Sequence, residues 1–76
     1  MLDKYVRLIA YLRELRQNCK YSQQDVSLLL KKPQSFISKI ENLNQFLNLN
    51  DFFLLSLVYK KAASEIISDI EVNNDK

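Results

Sequence analysis

Apolar side chains recur at helical spacing over the first quarter of the chain. From residue 5 to residue 19, steps of three or four residues separate Tyr5, Leu8, Leu12, Leu15 and Cys19. Residues at this spacing share one face of an α-helix, and charged or amide side chains fill the other face here. The pattern predicts a first helix from Leu2 to Asn18.

Two shorter helices are predicted next. Ser22 is suited to cap a second helix, because its hydroxyl can accept a backbone N–H, and Asp25 three residues later favours the same start. Pro33 stops this helix, and it also suits the first position of a third helix that runs to Glu41. We expect Val26, Leu29 and Leu30 to form the buried face of the second helix.

From Leu49 onward the pattern is helical to about Val72, either as one long helix or as two helices with the break at residues 59–61. Asn48 is suited to cap the start of this helix, and the acidic Asp51 three residues later favours the same start. The segment is apolar around its whole circumference, so we expect it to be buried on two sides. One alternative is a fifth helix folding back onto the domain, and the other is a partner chain. A partner interface would comprise Phe53, Leu57, Tyr59, Ala63, Ile66, Ile67 and Ile70.

Composition narrows the function classes. The 76 residues include no Gly, no His and one Cys. Histidine-dependent catalysis, cysteine-rich zinc sites and glycine-rich phosphate loops are therefore excluded. We expect no enzyme activity, no cofactor, no metal and no small-molecule ligand. No apolar run reaches the roughly 20 residues that cross a bilayer, and we expect a cytoplasmic protein without membrane contact.

Charge is divided unevenly between the two halves. Residues 1–40 carry a net charge of +5 and residues 41–76 a net charge of −3. The basic half could face a polyanion, although an unevenly charged solvated surface would give the same count.

The two short helices around residues 31–33 have the spacing of a DNA-reading pair, in which the second helix lies in the major groove. Gln34 can pair with adenine and Lys39 can donate to guanine, while Ser35 and Ser38 are small and adaptable. Two helices with a polar outer face also occur in any small bundle, so the pattern alone leaves both interpretations open.

Three runs carry a resemblance to a known family. Residues 12–16 read LRELR, residues 21–26 read YSQQDV and residues 33–41 read PQSFISKIE. Together they resemble the Cro/repressor-type helix-turn-helix family, often called XRE, over roughly residues 8–60. The resemblance implies an all-α, compact domain of four to five helices with a lambda-repressor-like helix-turn-helix, and a double-stranded DNA partner.

The resemblance also implies roles for individual residues. Arg16 and Glu41 would form a structural pair between the first and third helices. Base contacts would come from Gln34, Ser35, Ser38 and Lys39. Backbone contacts would come from Gln23, Phe36, Asn42, Asn44 and Gln45, of which Phe36 could instead simply pack.

The chain departs from the family pattern at several positions. Lys31 and Leu43 stand where the family usually has Gly, so any positive φ there is strained. The loop after the third helix lacks the usual arginines, and we expect modest affinity. Leu28 and Leu29 replace polar residues; they could form a partner surface, but we expect them to pack under the first helix.

The resemblance implies a small transcriptional regulator, and a symmetric homodimer, because regulators of this family pair through the C-terminal region. We expect residues 1–60 to form the DNA-binding domain, residues 61–72 a dimerising helical extension and residues 73–76 a frayed tail. So small a chain would act as a repressor by occupying its operator. The alternative is a protein-interaction module that binds another regulator through the apolar C-terminal helix.

Overall fold

The computed structural model describes the backbone of residues 2–74 and the side chains of residues 2–71. Five helices follow one another in this part of the chain, and it contains no strand. Their bounds are α1 (Asp3–Asn18), α2 (Gln23–Leu29), α3 (Phe36–Glu41), α4 (Leu49–Val58) and α5 (Ala63–Asn74). The all-α fold class and the five-helix count within the predicted range are confirmed.

Side-chain caps begin α2 and α4, as predicted. Ser22 Oγ accepts from the N–H of Asp25 at 3.0 Å, and the Asp25 carboxylate accepts from the N–H of Ser22 at 2.9 Å. Asn48 Oδ1 accepts from the N–H of Asp51 at 2.8 Å. Each cap satisfies a backbone donor that has no partner inside the helix, which fixes where the helix starts.

The third helix starts later than predicted. The chain forms a turn first, in which the N–H of Phe36 donates to the Pro33 carbonyl at 2.9 Å, and α3 begins at Phe36. This three-residue spacing is tighter than that of an α-helix. Gln34 and Ser35 therefore lie in the turn that leads into α3.

Four helices end in the same left-handed turn without any glycine. Lys20, Lys31, Leu43 and Lys60 have φ between 57° and 64°. After α2, for example, the N–H of Lys31 donates to the Leu28 carbonyl and that of Lys32 to the Ser27 carbonyl. Such paired bonds define the Schellman motif, which usually has Gly at this position. The expected strain at Lys31 and Leu43 is present, and it recurs at two further turns.

The last helix folds back onto the domain, which corrects the predicted extension. After the turn at Lys60, α5 packs on α1 and α4. Ile66 and Ile70 are buried, and Ile66 belongs to the same apolar cluster as Ile9, Leu12 and Leu55. The Tyr11 hydroxyl donates to Asp69 and thereby joins α1 to α5. A boundary at residue 60 is therefore wrong, because one core includes both sides of it.

Other predictions at the ends of elements have mixed outcomes. Of the two alternatives for the C-terminal half, the structure shows two helices with a break after Val58, and Tyr59 is buried in the core. The tail prediction covers residues 73–76; α5 extends to Asn74, and residues 75–76 lie outside the described part of the chain.

The apolar face of α2 is rotated from the one predicted. Leu28 and Leu29 are 65% and 54% exposed, whereas Leu30 packs against the core. Because Val26 and Ser27 are the buried residues of this short helix, its outer face carries the two leucines. The expectation that they pack under α1 is wrong.

Candidate nucleic-acid interface

A buried ionic network joins the first three helices. Arg16 Nε donates to Glu41 Oε2 at 2.7 Å, and Arg16 Nη2 donates to Glu41 Oε1 at 3.0 Å. Arg16 Nη1 also donates to the Tyr21 carbonyl at 2.9 Å. The hydrogen bonds to Glu41 raise the pKa of Arg16, and burial opposes this rise. The predicted pair is present, and it ties α3 to α1 and to the turn before α2.

Gln23 takes part in the same network. Its Nε2 donates to Glu41 Oε1 at 2.9 Å, and Ser27 Oγ of the same helix accepts from the N–H of Ile37 at 3.3 Å. Both bonds connect α2 to α3. Because Ser27 is fully buried, the angle between the two helices is set by polar contacts as well as by packing.

A polar cleft lies between α1, α2 and the start of α3. We call it the α1–α3 cleft. It is lined by Arg13, Arg16, Ser22, Gln23, Gln24, Gln34, Ser35 and Ser38. Three of the four residues predicted to read bases, Gln34, Ser35 and Ser38, thus share one concave surface with Gln23.

A second cleft lies on the other side of α3, towards α4. We call it the α3–α4 cleft. It is lined by Lys32, Pro33, Ser35, Phe36, Lys39, Gln45, Asn48 and Asp51. Lys39, the fourth predicted base reader, lies here with Gln45, and Ser35 lines both clefts. The start of α3 is therefore an exposed polar ridge with a cleft on each side.

Comparison with known protein families identifies the family to which this arrangement of helices and clefts belongs. A family model described as helix-turn-helix matches residues 12–66, well over half of the chain. The match includes every residue that lines the two clefts. The chain belongs to the helix-turn-helix family. It is a DNA-binding regulator of the Cro/repressor type. No curated protein and no solved structure matches the chain.

Phe36 of this helix-turn-helix is largely buried, although it lines the α3–α4 cleft. The side chain is 7% exposed and packs in the core with Ile37 and Ile40. The structure thus shows the packing that the sequence left open for Phe36, and its contact with DNA stays a prediction. The ring lies under the Lys32 ammonium, with 5.2 Å between Nζ and the ring centroid.

The remaining predicted backbone contacts lie in the loop between α3 and α4. Asn42, Asn44 and Gln45 are exposed. Gln45 lines the α3–α4 cleft, whereas the two asparagines line neither cleft. Their contact with DNA stays a prediction.

Sequence reasoning missed several residues of the clefts. Arg13 and Gln24 line the α1–α3 cleft, and Lys32 and Asp51 line the α3–α4 cleft. Arg13 lies one helical turn before Arg16, and this spacing could have placed it on the same side of α1. The burial of Asp51 had no signal in the sequence beyond its position as a helix start.

Other kinds of site find little support in the described residues. No group of three His, Cys, Asp or Glu side chains in this part of the chain could hold a metal ion. None of the described helices has both the length and the apolar character that a membrane span needs.

Proposed function

We propose that this protein binds double-stranded DNA sequence-specifically as a homodimer and represses transcription in the cytoplasm by occupying its operator. The observation that carries the proposal is the exposed polar ridge at the start of α3. Gln34, Ser35 and Ser38 offer amide and hydroxyl groups there, and such groups recognise base edges in the major groove. All five described helices share one core, so this part of the chain would act by occupancy of the site.

Selection of binding sites from random duplex DNA tests this proposal. We expect a two-fold symmetric site with half-sites about one helical turn, roughly 34 Å, apart. Gln34→Ala should weaken binding to the selected site by about 1–3 kcal/mol and relax the preference at one base pair. Gln17→Ala, at an exposed glutamine of α1, is the matched control and should bind like the wild type.

An unchanged sequence preference in Gln34→Ala would contradict the role of Gln34. Selection that enriches no sequence would contradict specific recognition altogether.

The dimer surface is revised by the burial pattern. Of the seven predicted interface residues, Tyr59, Ile66 and Ile70 lie in the core of the monomer, and Ala63 is half-buried. Phe53, Leu57 and Ile67 remain exposed. Leu49, Phe53 and Leu57 are spaced four residues apart and form a stripe on α4. This stripe supports dimerisation through α4, with Ile67 of α5 as a further contact.

Sedimentation equilibrium of Leu57→Glu tests the revised surface. Leu57 is 74% exposed, so the substitution should leave the fold intact and convert dimers to monomers by placing a charge in an apolar contact. Gln17→Glu adds the same charge on α1 and should stay dimeric. An intact dimer in Leu57→Glu would contradict the α4 surface. Ile66→Glu cannot serve here, because it would place a charge in the monomer core.

A second candidate function is binding of another regulator, and the exposed leucines of α2 favour it. Leu28 and Leu29 line a shallow groove with Lys20, Tyr21 and Asp25. The C-terminal helix, the alternative surface for this role, buries Ile66 and Ile70 in the core. Salt dependence separates the two functions: DNA affinity falls steeply as salt rises, whereas an apolar protein contact is far less sensitive to salt.

A further inference from the structure

Phosphate binding in this chain needs cations from outside the usual loop. Residues 42–48, between α3 and α4, contain no Lys or Arg. Phosphate contacts nevertheless supply most of the sequence-independent affinity of DNA-binding proteins. Other basic residues beside α3 must then provide the phosphate contacts.

Two basic side chains lie on opposite sides of α3. Arg13 lines the α1–α3 cleft and Lys32 lines the α3–α4 cleft. Their side chains are 57% and 37% exposed, so both keep donors accessible to a ligand. A helix in the major groove has one phosphate backbone on each side. Each cation therefore lies on the side of one DNA strand.

Each cation is held near a buried carboxylate. Arg13 Nε lies 4.0 Å from Glu41 Oε1, and Lys32 Nζ lies 3.7 Å from Asp51 Oδ1. The Phe36 ring adds a second contact to Lys32. A side chain that is already positioned loses less conformational entropy when it binds. Buried Glu41 and Asp51 would thus act as positioning residues.

From this geometry we propose that Arg13 and Lys32 are phosphate-binding residues that contact opposite strands of the DNA on either side of α3. The inference rests on the proposed DNA binding and adds the residues that provide its electrostatic part. Each cation makes one phosphate contact, but Arg13 should contribute more than Lys32 to the affinity at a given salt concentration. Arg16 already neutralises Glu41, whereas Lys32 is the cation that lies beside Asp51.

The slope of log affinity against log salt tests the inference on the selected duplex. Arg13→Gln and Lys32→Gln should each make the slope shallower by about 0.9, the value for one phosphate contact. The fall in affinity between 50 and 200 mM salt should then be about 3.5-fold smaller than in the wild type. Base preference should not change, and Lys60→Gln, at an exposed lysine between α4 and α5, should keep the wild-type slope.

Lys32→Gln leaves the buried carboxylate without its cation, so a second variant guards against unfolding. The double variant Lys32→Gln/Asp51→Asn keeps the site neutral and should show the same shallower slope. Duplexes with single uncharged methylphosphonate linkages then assign the strands. A linkage on one strand should weaken the wild type but not Arg13→Gln, and a linkage on the other strand should do the same for Lys32→Gln.

The outcomes are distinguishable. Absence of DNA binding by the wild type would overturn the proposed function itself. A wild type that binds with a steep slope, together with unchanged slopes in Arg13→Gln and in the double variant, would overturn only this inference. Sensitivity of both cations to linkages on the same strand would overturn the assignment to opposite strands.

Discussion

A buried carboxylate lies on each side of α3, and the two carboxylates differ in the hydrogen bonds that they accept. Glu41 accepts hydrogen bonds from Arg16 and Gln23, which come from α1 and α2. Asp51 Oδ1 has no hydrogen-bond partner among the described residues, and the Lys32 ammonium lies 3.7 Å away. One side is fixed by a connected network and the other by packing and a loose ion pair.

This difference makes the Glu41 network a structural contact and the Lys32–Asp51 pair an adaptable one. Removing one partner from a satisfied buried network leaves the other charge uncompensated, which is costly. A loose pair has little hydrogen bonding to lose. We therefore expect the α1–α3 cleft to depend on its carboxylate for its shape, and the α3–α4 cleft to tolerate neutralisation of its own.

Loss of the Glu41 carboxylate should have the largest effect. Glu41→Ala removes two acceptor oxygens and leaves the Arg16 guanidinium buried without its counter-charge. We expect a loss of about 3–5 kcal/mol in the free energy of unfolding, measured by urea denaturation. Glu14→Ala, at an exposed glutamate of α1, should change it by less than about 0.5 kcal/mol. Similar losses in both variants would show that the Glu41 network has no special role.

Neutralisation of Asp51 should have a much smaller effect. In Asp51→Asn the shape is kept, and the backbone N–H that Asn48 caps is unchanged. Removal of an incompletely paired buried charge offsets loss of the attraction to Lys32. We expect the free energy of unfolding to stay within about 1 kcal/mol of the wild type. A loss as large as that of Glu41→Ala would contradict the contrast between the two sides.

Local signals in the sequence are sufficient for the starts of α2 and α4, but not for the ionic network. Ser22 and Asn48 cap the helices that they were predicted to cap, because a cap depends only on residues within one turn. The Arg16–Glu41 pair came from the resemblance, since residues so distant in sequence share no local signal. The family pattern also located the left-handed turns at Lys31 and Leu43.

The sequence does not show which elements pack against each predicted face, because that depends on contacts between residues distant in the chain. Periodicity shows that Ile66 and Ile70 are buried but not what buries them, and a dimer partner was expected where α1 and α4 of the same chain lie. Periodicity places Leu29 on the wrong side of α2, because a short helix has too few turns to define a face. Arg13, Lys32 and Asp51 became candidates only when the clefts showed which side chains α3 has beside it.

The left-handed turns before and after α3, at Lys31 and Leu43, allow the finest test of the same contrast. A left-handed conformation costs a non-glycine residue about 1–2 kcal/mol. Glycine avoids this cost, but it lowers stability by about 0.4–1 kcal/mol because the unfolded chain gains entropy. Lys31 is exposed, so Lys31→Gly should raise the free energy of unfolding by about 0.5–1 kcal/mol. Leu43 packs against the core near Glu41, and Leu43→Gly should lose about 1 kcal/mol because the lost apolar burial exceeds the relief of strain. Thermal and urea denaturation of the two variants measure these changes. A gain in both variants would show that the Leu43 turn beside Glu41 is held no more tightly than the exposed turn before α3.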